Sequence, residues 1–64
     1  MSKTGVKVKL IGTDGNAFAI MGRVMNALQE AGMHDESQAY SKYAQGSDSY
    51  HQLLQRTMEY VDVN

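Results

Sequence analysis

The chain has no cysteine, no proline and no tryptophan. Without cysteine, neither a disulfide nor a thiolate metal site can reinforce the fold, and the composition suits a reducing compartment. No apolar run is long enough to cross a bilayer. The opening Met-Ser-Lys-Thr-Gly lacks the apolar segment of a secretion signal. The expected location is therefore cytoplasmic, with no membrane partner. An excess of charge of one sign is missing too: six Lys and Arg stand against seven Asp and Glu. That balance argues against a strongly basic nucleic-acid binder and against an acidic mimic of DNA.

Recognisable catalytic motifs are also lacking. Gly12-Thr13-Asp14-Gly15-Asn16 offers free amides before a helix, as an anion loop would. However, no Lys-Ser or Lys-Thr follows Gly15, the glycine spacing is not that of a dinucleotide fingerprint, and Asp14 would repel a phosphate. The plainer reading is a turn whose glycines supply positive φ and whose Asp or Asn caps the helix. Ser37, Ser41, Ser47 and Ser49 stand in no nucleophile-elbow turn; they fall at expected helix starts and polar faces. His34 and His51 lie near carboxylates but not at HExxH spacing. No acid, base and nucleophile can be assembled, so no enzymatic activity, metal or cofactor is expected.

What is present is periodicity. Val6, Val8 and Leu10 alternate with Lys7, Lys9 and Ile11, which predicts a strand from Val6 to Ile11 with one buried face. At roughly 100° per residue, Ala17, Ile20, Met21, Val24, Ala27, Leu28 and Ala31 then share one side of a helix. Gly22, Arg23, Asn26, Gln29 and Glu30 share the other, with Phe18 and Met25 at the edge of the apolar stripe. Asn16 or Asp14 suits the N-cap. Gly32 suits the left-handed residue past the C-terminus, with Met33 as its apolar follower.

A second helix is predicted after Met33, opened by an Asp35–Gln38 capping box, with Ala39, Tyr40, Tyr43 and Ala44 inward and Gly46 at its end. A third, short helix follows, capped by Ser47 or Asp48, with Tyr50, Leu53 and Leu54 inward. Thr57 to Val63 alternates again and reads as the closing strand. If Val61 and Val63 face the core, Glu59 does also; if Met58 and Tyr60 do, the valines are exposed. Either a bulge switches the faces or both faces are covered, one by helices and one by a second subunit. Lys3, Lys7 and Lys9 at one end and Glu59 and Asp62 at the other suit pairing of the two strands.

A chain of 64 residues buries only about 60% of its unfolded surface, so its core is marginal alone. A two-stranded sheet is rarely stable by itself, and pairing across a two-fold axis would remove an exposed edge. The expectation is an α+β domain spanning residues 1–64, with a flexible N-terminus at 1–5 and the order β-α-α-α-β. The first and last strands pair, the helices lie on one face, and a homodimer extends the sheet. Phe18, Met25, Met58, Tyr60, Val61 and Val63 are the candidate interface residues. Tyr40, Tyr43 and Tyr50 are expected to line the back of the core, while Tyr60 is left open between core and surface.

The run Lys9 to Val24, containing Leu10-Ile11-Gly12-Thr13-Asp14-Gly15-Asn16-Ala17-Phe18, resembles the start of a family of small uncharacterised proteins of phages and other mobile elements. Gly46, Asp48 to Leu54 and Met58 to Val61 are similar to that family's ending. An extra residue lies between Gly46 and Asp48, and Gln38 to Tyr43 is not distinctive. The resemblance implies a phage or prophage gene acting in the host cytoplasm and transfers no catalytic residue. The first functional expectation is a dimeric interaction module that binds and modulates a host protein, such as a defence or metabolic enzyme. The alternative is a nucleotide or nucleic-acid binder using Gly12, Thr13, Asp14, Gly15 and Asn16 with Lys7, Lys9 and Tyr60 on an open sheet face.

Overall fold

The computed structural model describes residues 2–10 and 16–64. The order is β1 (Lys7–Val8), α1 (Ala17–Glu30), α2 (His34–Gln45), α3 (Tyr50–Tyr60) and β2 (Asp62–Val63). β1 and β2 pair in parallel, Lys7 opposite Asp62 and Val8 opposite Val63, so all three helices form the connection between them. The predicted α+β class and β-α-α-α-β order hold, with both strands much shorter than expected. The expected turn at Gly12 to Gly15 lies outside the described residues.

The first helix starts and stops as its sequence indicates. Asn16 is the N-cap, its Oδ1 accepting from the amides of Phe18 and Ala19. At the other end Gly32 has φ +78°. Its amide donates to Gln29 O at 2.9 Å and the Met33 amide to Leu28 O at 2.8 Å, which is the Schellman pattern. Met33 packs against the core and immediately becomes the N-cap of α2. The Asp35–Gln38 capping box does not form, because the helix begins at His34 and no side chain caps it. Asp35 and Glu36 instead place negative charge in the first turn, where the helix dipole favours it.

The inner face of α2 is rotated from the prediction. Ser37, Tyr40 and Ala44 are buried, Tyr43 is half-buried and Ala39 is exposed. Ser37 is tolerated inside because its Oγ donates to Met25 O and accepts from Gln29 Nε2. At the start of α3 the cap is Ser49, not Ser47 or Asp48: its Oγ accepts from the Gln52 amide, while Gln52 Oε1 accepts from the Asp48 amide. Leu53 is buried and Leu54 half-buried, but Tyr50 is exposed.

The largest correction concerns Thr57 to Tyr60, which are helical rather than extended. Leu53, Thr57 and Val61 recur every fourth residue and all three are buried, a helical spacing that outweighs the local alternation. Thr57 Oγ1 donates back to Leu53 O at 2.8 Å, and the Val61 amide continues the ladder to Thr57 O. Helix placement also resolves the two-face conflict: Val61 enters the core as the C-cap, and Glu59 points outward to the Tyr43 hydroxyl.

Residues 2–4 hydrogen-bond to the far end of the chain. The amides of Lys3 and Thr4 donate to Glu59 O (2.7 Å) and Tyr60 O (3.1 Å), and the Ser2 amide to Asp62 Oδ1. These bonds satisfy carbonyls that the last turn of a helix leaves free. The chain then runs into β1, where Val6 O and Val8 O accept from the Asp62 and Asn64 amides. Val8 turns inward and joins Ile20, Val24, Leu28, Tyr40, Ala44, Leu53 and Val61 in one core cluster. Val6 and Leu10 pack against it, as the alternation predicts, and Lys7 and Lys9 are exposed.

Candidate interaction grooves

The polar and apolar sides of α1 form two different surfaces. On the apolar edge, Phe18, Met21, Gly22 and Met25 follow one another at i, i+3, i+4 and i+7, and so form a single stripe. With Ser41 and Gln45 of α2 they line a groove of about 380 Å³. Phe18 and Met21 also border a second groove, of about 580 Å³, that reaches Ser47, Tyr50 and Leu53 at the start of α3. Phe18 is 81% exposed at the junction of the two, and Tyr50 is 40% exposed beyond it. Ser47 Oγ, buried and without a hydrogen-bond partner among the described residues, belongs to the second groove.

The polar side of α1 faces β1 across a third groove, of about 590 Å³. Lys7 and Lys9 line it from β1 and the residue just past it, and Arg23, Asn26 and Glu30 from α1. Ala19, Gly22 and Ala27 keep its floor low. Lys7 is on β1 and Lys9 directly follows that strand, two residues on along the chain. Arg23 joins them because α1 packs behind Val8. A sequence reading assigns Arg23 only to a solvated face, since nothing local announces that β1 lies opposite it.

The predicted interface residues do not form one surface. Phe18 and Met25 share the apolar groove, whereas Met58 and Val63, both exposed, lie outside it. Val61 is enclosed in the chain's own core and presents nothing to a partner. Met21 and Tyr50 belong to the apolar surface but were not among the expected residues; the i, i+3, i+4, i+7 spacing from Phe18 is the signal for Met21.

Of the predicted nucleotide-binding residues, the structure describes Lys7, Lys9, Asn16 and Tyr60. Asn16 spends its side-chain oxygen on the α1 cap, and Gly12, Thr13, Asp14 and Gly15 lie outside the described residues. Tyr60 is on α3, not on a sheet face. Its ring meets Tyr40 edge-on at 5.6 Å and Tyr43 at 5.9 Å, with Lys3 Nζ 5.1 Å from its centroid. Beside it, Tyr43 donates to both Glu59 oxygens, and Arg56 lies over the Tyr43 ring while donating to Tyr43 O at 2.7 Å. The hydrogen bond to Glu59 is the main reason the Tyr43 hydroxyl is held protonated above its ordinary range; desolvation and the Glu59 charge add to it. Burial raises the Tyr40 hydroxyl, offset in part by Thr57.

Among the described residues, no three His, Cys, Asp or Glu side chains gather as a metal site, and no helix is long and apolar enough to cross a membrane. Comparison with protein-family models, curated proteins and solved structures finds no match.

Proposed function

We propose that the protein is a small interaction module of phage origin that works as a homodimer and binds a host protein through the Phe18 surface. The observation that carries this reading is the exposure of Phe18 on a capped, well-packed helix, at the meeting point of two grooves. A phenylalanine side chain taken fully out of water contributes about 1.5–3 kcal/mol, and this chain forgoes most of that contribution. Aromatic and methionine side chains, here Phe18, Met21, Met25 and Tyr50, are the types enriched where proteins meet. Phage origin rests on the sequence resemblance, and the choice of a host protein as target follows from it.

The test is native mass spectrometry of tagged protein taken from its host after infection, for the wild type and Phe18→Glu. Two chains with a host protein attached, both associations lost in the variant, would support the reading. A bare wild-type monomer would remove it. Because Phe18 is exposed, the variant should keep its helical circular dichroism.

A further inference from the structure

We infer that the groove between β1 and α1 is a binding site for a phosphate-rich polyanion, held by Lys7, Lys9 and Arg23. This goes beyond the docking reading and does not rest on it. Three of the chain's six Lys and Arg line this groove, against one carboxylate among the described residues, Glu30, in a protein whose formal net charge is −1. The positive potential is therefore local, and a polyanion would be drawn to this groove rather than to the molecule as a whole.

The cations stand on two walls, the ammonium groups of Lys7 and Lys9 on β1 and the residue after it and a guanidinium on α1, so a chain of charges lying along the groove is contacted from both sides. Arginine adds the paired donors that match phosphate oxygens, and the lysines act as point charges. Asn26 supplies a further amide donor at the same wall. The low floor at Ala19, Gly22 and Ala27 lets a ligand backbone come close, and a Cβ built on Gly22 meets nothing within 4 Å. No aromatic side chain lines the groove, so there is no platform on which to stack a base. Recognition falls on the phosphates. Their source is either a free polyphosphate or the backbone of a single-stranded nucleic acid, bound without sequence preference.

The test measures anisotropy of a labelled oligothymidine strand with the full chain, and competition by inorganic tripolyphosphate and by polyglutamate. Arg23→Glu and Lys9→Glu should each weaken binding by about tenfold, as the loss of a charge-assisted contact does. Lys42→Glu makes the same change of charge on an exposed residue of α2 and should leave binding unaltered. For three cations on a single strand, log affinity should fall against log salt with a slope of about −2. Oligothymidine binding displaced by tripolyphosphate supports the site with a backbone ligand. Tripolyphosphate stabilising the fold without oligothymidine binding supports it with a free polyphosphate. Neither probe acting at low salt, polyglutamate competing equally well, or Lys42→Glu weakening binding as much as Arg23→Glu would overturn the inference. All three positions are exposed, and thermal melts of the variants check that the fold is retained.

Discussion

The Tyr40 hydroxyl lies 2.8 Å from Thr57 Oγ1, and both side chains are fully enclosed. Thr57 has one hydroxyl proton, and it is directed to Leu53 O at 2.8 Å. Tyr40 is therefore the donor, and a relay runs Tyr40 to Thr57 to Leu53 O, tying α2 to α3 through the centre of the core. The two ends of this bond are unequal. Tyr40→Phe removes a donor and leaves Thr57 its bond to Leu53, at a cost of about 1 kcal/mol. Thr57→Val strands the buried Tyr40 hydroxyl and should cost more, about 1–3 kcal/mol. The double variant should be less destabilised than the sum of the two, a coupling that urea denaturation of the full cycle reads directly.

The same residue sets an alkaline limit. Burial raises the Tyr40 hydroxyl above its ordinary value of 10.0, so the folded state holds the proton more tightly than the unfolded state. Its contribution is fully present below the unfolded value and is lost as pH rises through the folded one. Urea midpoints should fall as pH rises above about 10, and less so in Tyr40→Phe. Tyr43, whose proton the Glu59 carboxylate retains, shifts in the same direction.

Two glycines should respond to alanine with opposite signs. Gly32 has φ +78° in the cap that turns α1 into α2, so Gly32→Ala should cost about 1–2 kcal/mol. Gly22 is a helical residue with open space where its Cβ would stand, and Gly22→Ala should add about 0.5–1 kcal/mol. Thermal melts separate the two at once. The Gly22 methyl would also stand in the apolar stripe between Phe18 and Met25, so a more stable chain with weaker association is the outcome the docking proposal requires.

At the start of α3, Ser49→Ala removes the oxygen that accepts from the Gln52 amide and should cost about 1 kcal/mol. Ser47→Ala removes a hydroxyl that bonds to nothing among the described residues and should be neutral or stabilising. Denaturant midpoints of the two variants distinguish Ser49 from its neighbour as the cap.

Deleting residues 1–4 removes the Lys3 and Thr4 amides that close the end of α3, and the Lys3 ammonium over Tyr60. A loss of about 1 kcal/mol per bond corresponds to a melting point lower by about 4–8 °C for each kcal/mol in a domain of this size. A melting point equal to that of the full chain would return these residues to the frayed end that their sequence suggests.

The sequence by itself determined what depends on near neighbours. Asn16 caps α1 because its oxygen reaches amides two and three residues on, and Gly32 ends α1 because only a residue tolerant of positive φ closes that turn. The burial of Val8 beside exposed Lys7 and Lys9 follows from strand alternation alone, and the β-α-α-α-β order follows from three such local patterns in series. Only the tertiary structure decided the rest. Thr57 to Val63 satisfies both a two-residue and a four-residue period, and a segment so short carries too little pattern to choose. In the fold, Tyr40, seventeen residues away, meets helical Thr57 in the core. The anchored N-terminus depends on carbonyls freed at the other end of the chain. The meeting of Lys7, Lys9 and Arg23 depends on α1 packing behind β1. Such contacts join residues far apart in the chain, and the residues that make them carry no local mark of their partners.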